Sequence, residues 1–319
     1  MSSDLSKKVL ITGCSGFLAA HLMDALLKEK HPIISGITEV PNYQSPRMTV
    51  YHVDLSQRDK VFDAIKTIRP DMVFHLAAIA NVGFSWAHQE LTYQVNFIGT
   101  SNLLEALYEF SPTCRILLMS SAELYGNAKL TPYNESDPIA PPMNPYALSK
   151  LAMEMLGDLY AKAMKMDIIK IRAFNFTGPA QDRKFMASDF SSQIAEIEKG
   201  LREPVIRTGN LSAVRDISDV RDIARYLTVI ANKGQSCSVY NLCSGFSYAI
   251  QQILDMLLSF STQKIAITVD SDKIRPSDVP VLSGDNTLIQ RTFQLEPEYQ
   301  IQQTLLDLLN YWREQLGHH

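Results

Sequence analysis

Long apolar runs are missing from this 319-residue sequence. The longest, residues 72–80, contains His75 and falls well short of the ~18 residues that a helical bilayer span requires, so a membrane-spanning protein is not the expected reading. An excess of one charge is missing too. Lys and Arg number 30 against 34 Asp and Glu, a formal charge of −4, and no basic stretch is present to neutralise a phosphate backbone, so nucleic acid is not an expected partner. Cysteine is scarce: Cys14, Cys114, Cys237 and Cys243 lie mostly in apolar strand-like segments and never at zinc-ligand spacing. No metal site is expected, and free thiols suit a reducing compartment. No apolar signal region precedes Val9, and the chain is read as soluble and cytoplasmic. Repeats and low-complexity tracts are also lacking. What is present is ordinary core material, 46% hydrophobic and 20% charged, enough for a chain of this length to fold without disulfide or metal staples.

From residue 7 to 171, short β-branched runs alternate with segments of helical period. Residues 9–12, 32–38, 48–54, 72–76, 115–120 and 168–171 read as strands; residues 17–29, 58–68, 91–110 and 146–165 read as helices. Repeated strand, helix, strand predicts an α/β fold, a Rossmann-type doubly wound parallel sheet covered on both faces. In the helix after Asn144, the residues Leu148, Leu151, Ala152, Met155, Leu156 and Leu159 recur at three- and four-residue spacing. That spacing predicts a single apolar stripe packed on its neighbours. Beyond residue 171 the pattern becomes irregular. Helices are expected at 188–199, 220–232, 248–260 and 301–316, and strands at 205–207, 239–242 and 265–269. This reads as a smaller mixed α/β domain, 175–319, interwoven with the first, 1–174, because no Gly/Ser linker separates them.

The first strand runs straight into Thr12-Gly13-Cys14-Ser15-Gly16-Phe17-Leu18-Ala19, which opens the first helix. Gly13 permits a tight turn, Gly16 permits close approach of the backbone to a pyrophosphate, and Ala19 is small enough for helix to meet strand. The helix N-terminus then faces the anion. In isolation such glycines also serve as plain turn formers; their place at the first strand–helix junction of an alternating chain favours a dinucleotide site. The second strand ends Ser35-Gly36-Ile37-Thr38, and the acid that would hold both ribose hydroxyls of NAD arrives one residue late, as Glu39. Thr38 would not repel a 2′-phosphate, which favours NADP(H) over NAD(H), although Arg47 stands too far along the chain to be assigned to that phosphate.

Asn144-Pro145-Tyr146-Ala147-Leu148-Ser149-Lys150 places Tyr146 and Lys150 on one face at the start of a helix. A lysine ammonium near a phenol favours the phenolate, so the pKa of Tyr146 is expected to fall from near 10. Tyr146 could then pass a proton at a carbonyl oxygen. The same spacing also describes a surface aromatic beside a solvated lysine. Ser121 follows an apolar strand at the carboxyl edge of the sheet, where it could polarise the same oxygen or simply cap a turn.

In combination these residues carry a resemblance. The phosphate loop, Asp54-Leu55, His75-Leu76-Ala77-Ala78, Asn96, the Ser121 segment and the Tyr146/Lys150 pair occur in the order seen in extended short-chain dehydrogenase/reductases that act on nucleotide sugars. The resemblance spans nearly the whole chain. It implies that Ser121, Tyr146 and Lys150 form the catalytic triad, that Asp54 and Leu55 meet adenine, and that Lys150 also holds the nicotinamide ribose. By the same resemblance Gly13, Ser15, Gly16, Phe17, Leu18, Thr38, Leu76, Ala77 and Ala78 surround the rest of the cofactor.

The second half is similar to the GDP-sugar members that reduce a 4-keto-6-deoxymannose. The matching segments are Phe174-Asn175-Phe176-Thr177-Gly178-Pro179, Gly209-Asn210-Leu211, Val214-Arg215-Asp216 and Arg275-Pro276-Ser277-Asp278. The resemblance implies that Ser85, Asn175, Asn210, Arg215, Arg275, Ser277 and Asp278 bind a GDP-linked deoxyhexose. Arginine forks suit phosphate oxygens and a carboxylate suits a guanine edge; on the residues alone, Arg215 and Arg275 read as surface ion-pair residues. The expected reaction is reduction of GDP-4-dehydro-6-deoxy-D-mannose to GDP-D-rhamnose. Glu123, two residues after Ser121, keeps GDP-mannose 4,6-dehydration open as a catalytic role. Against that stand a Phe-Thr-Gly-Pro loop instead of the dehydratase-like His-Glu-Ser-Pro, and the lack of an Arg-Arg-Gly segment. A non-catalytic NADP(H)-binding regulator is the remaining alternative. Relatives often dimerise through two helices per subunit, which implies a homodimer through segments 91–110 and 146–165.

Overall fold

Alternating strands and amphipathic helices build the first part of the molecule in a computed structural model that describes residues 6–28, 32–127, 131–270, 273 and 279–317. The order is β1 (Lys8–Thr12), α1 (Phe17–Leu26), β2 (Ile33–Thr38), β3 (Thr49–His52), α2 (Arg58–Ile68) and β4 (Met72–His75). There follow α3 (Val82–Ala87), α4 (Gln89–Tyr93), a π-helical turn (Gln94–Ile98), α5 (Gly99–Phe110), β5 (Arg115–Ser121), a 3-10 turn (Ala122–Tyr125), α6 (Pro145–Ala163) and β6 (Asp167–Ala173). The remainder comprises β7 (Asn175–Thr177), α7 (Met186–Glu198), β8 (Val205–Thr208), β9 (Val214–Asp219), α8 (Val220–Lys233) and β10 (Val239–Leu242). It closes with β11 (Ser247–Ala249), α9 (Ile250–Ser259), β12 (Ala266–Val269), β13 (Val281–Leu282), α10 (Thr287–Phe293) and α11 (Ile301–Gly317).

Two compact units divide the chain. One takes Met1–Leu124, Ala140–Ala173 and Ala224–Tyr240; the other takes Tyr125–Ile139, Phe174–Ile223 and Asn241–His319. The division expected at 174/175 is therefore crossed by residues 125–139 and 224–240. Among the described residues, the first sheet has seven strands in the order β10-β6-β5-β4-β1-β2-β3, with parallel pairing from β6 through β3. Leu10, Val73, Ile116, Leu118 and Ile168 pack with Val61, Ile65, Leu103, Leu107 and Met153 from α2, α5 and α6. Their neighbours Val9, Ile11, Phe74, Leu117 and Ile169, which alternation turns to the opposite face, are equally buried. Each such aliphatic side chain contributes roughly 1.5–3 kcal/mol when fully buried, and cover on both faces explains why these strands read as near-continuous apolar runs.

The second unit packs α7, α9 and α11 around Ile194, Ile206, Ile217, Leu254 and Leu305. Its sheet runs β11-β9-β13 with β7 also on β9, and β8 pairs with β12. Bidentate contacts from Arg313 to Glu198, both 2.8 Å, fasten α11 to α7. Among the described residues, no helix is long and apolar enough to cross a membrane.

Three sequence expectations change. The helix expected at 91–110 is broken by the π-helical turn, which turns Asn96 inward, where its amide bonds both backbone groups of Ile79. The helix expected from residue 248 starts at Ile250, because Tyr248 pairs antiparallel with Arg215 across β11 and β9. In α6 the expected stripe divides: Leu148, Met155 and Leu159 are 46%, 65% and 59% exposed, whereas Leu151, Ala152 and Leu156 are half-buried and Leu156 packs on the core. The buried face carries Tyr146, Lys150, Met153, Glu154, Gly157 and Ala161 instead. Gly157 lets the helix lie close on β5, since a Cβ there would stand 2.6 Å from Leu118 Cδ1, and the Glu154 carboxylate on that face is matched by buried Arg172.

Candidate active site

Parallel pairing brings Thr12, Thr38, His75 and Ser121 to one edge, the carboxyl ends of β1, β2, β4 and β5. There α6 begins. Asn144, in extended backbone, caps it by accepting the Ala147 N–H at 2.7 Å, and Pro145 follows where a missing N–H costs nothing. Buried Ser85 Oγ accepts the Tyr146 N–H at 3.2 Å and donates to Val82 O at 2.7 Å. Ser85, expected at the sugar, thus has its hydroxyl committed to the start of the helix that presents Tyr146.

Tyr146 and Lys150 are both buried, one turn apart. The Tyr146 hydroxyl is hydrogen-bonded to Ser121. Ser121 Oγ also accepts the Glu123 N–H at 3.1 Å and keeps one proton and a second lone pair for the phenol. Lys150 Nζ lies 6.0 Å from the Tyr146 ring centroid and donates to Met119 O at 2.6 Å. The expected lowering of the phenol pKa is not what this arrangement gives. Burial pushes Tyr146 up to about 12, opposed by the Ser121 hydrogen bond and aided by the nearby Glu123 charge. Burial likewise brings Lys150 down to about 7, with Glu154 acting in the opposite sense. Desolvation outweighs the cation, so the phenol is held as the neutral acid. Glu123 is tied to the same helix start, its Oε2 accepting from Asn144 Nδ2 at 3.3 Å.

The phosphate loop closes on its own sheet. Gly13 and Cys14 N–H both donate to Ile37 O, at 2.8 and 3.2 Å. Gly13 has φ +68°, and a Cβ there would stand 2.8 Å from Ala77 Cα, so only glycine fits. α1 begins at Phe17, after Gly16, which brings no side-chain cap, and its N-terminus suits an anion. Phe17 packs edge-on against His21, and Leu18 is buried beneath. Ser15 Oγ and Thr38 Oγ1 stand 2.8 Å apart, and Thr38 also accepts the Val40 N–H. Asp54 Oδ1 accepts the Ser56 N–H at 2.8 Å, beside buried Leu55, while Leu76, Ala77 and Ala78 are half-buried. These residues fit a dinucleotide: glycine where a side chain would collide, a helix N-terminus for the diphosphate, and the hydroxyls of Ser15 and Thr38 beside it. Arg47 is nearer the loop than its sequence position suggests. It pairs with Asp24 on α1, and its charge reaches Tyr43, whose hydroxyl donates to Cys14 O at 3.2 Å.

In the second unit, Asn175 opens β7 on the surface and exposed Asn210 accepts from Ser212 N and Oγ at 3.0 and 2.8 Å, closing a tight turn. Arg215 is buried, its Nη1 donating to Val279 O and Val214 O at 2.7 and 2.9 Å. Arg275, Ser277 and Asp278 lie outside the described residues. Sequence reading missed Asn144 and Ser149 as parts of the site; an Asn-Pro pair opening an apolar-periodic run is the cap signal that could have found Asn144.

The family model for GDP-mannose 4,6 dehydratase matches residues 10–308. The chain is 28% identical to GDP-6-deoxy-D-mannose reductase of Pseudomonas aeruginosa, covering 98% of this chain and 99% of that one. It is 28% identical to GDP-6-deoxy-D-talose 4-dehydrogenase of Aggregatibacter actinomycetemcomitans, over 87% and 88% of the two chains. The solved structure of RMD from Pseudomonas aeruginosa complexed with NADPH superposes with a TM-score of 0.85 at 28% identity, covering 97% of this chain and 100% of that one.

Proposed function

The chain belongs to the GDP-mannose 4,6 dehydratase family, and from that premise we propose that it reduces the C4 ketone of GDP-4-dehydro-6-deoxy-D-mannose to give GDP-D-rhamnose. A reduced nicotinamide dinucleotide supplies the hydride when bound. Gly13, Gly16 and the α1 N-terminus would hold its diphosphate, Ser15 and Thr38 the adenosine ribose side, Asp54 and Leu55 the adenine, and Lys150 the nicotinamide ribose. The NADPH in the solved relative supports this assignment, and the hydroxyl pair at the end of β2 favours NADPH over NADH.

One observation carries the reductase reading: a buried phenol, kept protonated by desolvation and hydrogen-bonded to Ser121. With Ser121 as donor to the phenol oxygen, the Tyr146 proton points at a third oxygen, that of the ketone. As hydride adds to C4, that oxygen develops charge, and Tyr146 delivers its proton there while Ser121 orients the same atom. Lys150, anchored on Met119 O, fixes the face of α6 on which Tyr146 stands. Asn175, Asn210, Arg215, Arg275, Ser277 and Asp278 are proposed to receive the GDP-sugar, while Ser85 serves the start of α6.

Dehydration of GDP-mannose is the second reading, supported by a Glu123 carboxylate close enough to Tyr146 to act on its ionisation. Incubation with GDP-4-dehydro-6-deoxy-D-mannose and NADPH or NADH separates the two. Stoichiometric oxidation of the nicotinamide supports the reductase, whereas a 4-keto product from GDP-mannose with only trace NADP identifies the dehydratase. Because one relative is named for the talo configuration, the C4 configuration of the product should be read by NMR; rhamnose is the expected outcome. We further propose a homodimer through the outward apolar faces of α4 to α6, which expose Leu91, Ile98, Tyr108, Leu148, Met155 and Leu159. Four cysteines without disulfides suit a cytoplasmic setting.

A further inference from the structure

His75 ends β4 directly beside Thr12 at the end of β1, and it is fully enclosed. Its Nδ1 stands 2.7 Å from Thr12 Oγ1 and its Nε2 2.8 Å from Thr100 Oγ1. The direction of each bond can be worked out. Thr100 Oγ1 spends its only proton on Asn96 O, at 2.7 Å, so it must accept from His75 Nε2–H. The ring is neutral: burial, with the Lys150 ammonium second, holds it down at about 3. Nδ1 is therefore the acceptor, and Thr12 donates to it while accepting the Ala77 N–H at 3.2 Å. A protonated ring would present a second donor to Thr12 and strand the threonine proton.

We propose that His75 is a positioning residue for the reaction, its imidazole joining the dinucleotide loop to the helix that presents Tyr146 through a hydrogen-bond chain of fixed direction. On one side the chain reaches Thr12 and Ala77, the residue against which Gly13 closes. On the other it reaches Thr100 and the π-helical turn. There Asn96 Oδ1 accepts the Ile79 N–H at 2.8 Å, and its Nδ2 donates to Ile79 O and to Ser149 Oγ, at 3.1 and 2.9 Å. Ser149 in turn donates to Tyr146 O at 2.7 Å. Every side chain in this path, Thr12, His75, Thr100, Asn96 and Ser149, is buried, so water cannot replace a missing partner.

This inference rests on the reading that the loop holds a nicotinamide dinucleotide and that Tyr146 is the acid. It predicts a split that a merely structural histidine would not produce. Thr100→Val, which deletes one hydroxyl at constant shape, should lower kcat about tenfold at saturating cofactor while leaving the NADPH Kd within about twofold. Thr12→Val should show the reverse, His75→Leu should show both losses, and His75→Gln, which keeps a donor towards Thr100, should recover part of kcat. Folding is checked by circular dichroism and Tm; if His75→Leu does not fold, the two threonine variants carry the test. Folded variants with wild-type Kd and kcat, or with equal loss of both at either threonine, would overturn the proposal. A wild-type chain that binds no dinucleotide would instead overturn the functional reading on which it stands, and the proposal with it.

Discussion

The hydroxyls of Ser121 and Tyr146 share one hydrogen bond, and the Glu123 N–H occupies one lone pair of Ser121 Oγ at 3.1 Å. Burial keeps the phenol protonated, so Tyr146 has a proton to give away.

Tyr146→Phe removes that donor and leaves Lys150 anchored on Met119. Turnover should fall by about 10²–10⁴-fold, the usual range for a positioned proton donor, with NADPH affinity within about twofold of wild type. Steady-state kinetics and a nicotinamide fluorescence titration check the two halves. Parallel loss of both would remove Tyr146 from its assigned role.

Glu123→Gln deletes a charge that holds the Tyr146 pKa up. The basic limb of the kcat–pH profile should move to lower pH, because the phenolate is then less disfavoured. Reductase turnover should fall by less than about tenfold if the carboxylate only touches a sugar hydroxyl. Abolition of turnover would favour the dehydratase role for Glu123.

Lys150→Met tests desolvation. The Lys150 pKa falls from 10.5 to about 7 on burial, so between those values the unfolded chain binds a proton that the folded one does not. Wild-type stability gains with rising pH across that window from this group, and below about 7 the difference is constant. The methionine variant should therefore melt higher than wild type near neutral pH, with the advantage shrinking towards pH 10. Thermal melts of both proteins across the window read the sign directly; an advantage that grows with pH would contradict it.

Thr38→Asp places a carboxylate where NADPH would carry its 2′-phosphate. NADPH binding should weaken by at least about tenfold while NADH binding is kept or improved. Arg47→Ala should weaken NADPH alone, because Arg47 lies against α1 through Asp24 and acts on Tyr43 beside the loop. Titrations with both dinucleotides settle the preference; equal effects on both would place Arg47 outside the site.

Met155→Glu with Leu159→Glu puts charge on the outward stripe of α6, where both side chains are exposed. Light scattering should report a wild-type dimer and a variant monomer of unchanged circular dichroism. A wild-type monomer would dispose of the dimer.

Much of the fold was legible because local signals and tertiary outcome agreed: β1, α1, α2, β4 and β5 begin or end within about two residues of where periodicity and turn chemistry put them. Disagreement arose where distant chain decides. The inward turn of Asn96 depends on Ile79, and the pairing of Tyr248 with Arg215 spans the two strands β9 and β11. The α6 stripe misled for a different reason. Apolar spacing marks a face that avoids water, but not which surface covers it, and here the sheet takes the face bearing Lys150 and Glu154. Among site residues, Ser121, Tyr146 and Lys150 could be found by order and spacing. The state of Tyr146 could not, because sequence neighbours count charges and say nothing of desolvation.

The buried Arg172–Glu154 fork joins β6 to α6 by contacts of 3.0 and 2.9 Å. Shifting the helix along its axis by one turn would move Glu154 by about 5.4 Å and leave two ions unmatched in a dry interior, at a cost of about 3–5 kcal/mol. Aliphatic contacts alone impose no such penalty, since leucine and methionine repack over small displacements. The fork therefore acts as a gauge block. It fixes how far α6 projects past the sheet edge, and hence the height at which Tyr146, two turns away, meets an oxygen; its tolerance is that of an ion pair rather than of a hydrophobic contact.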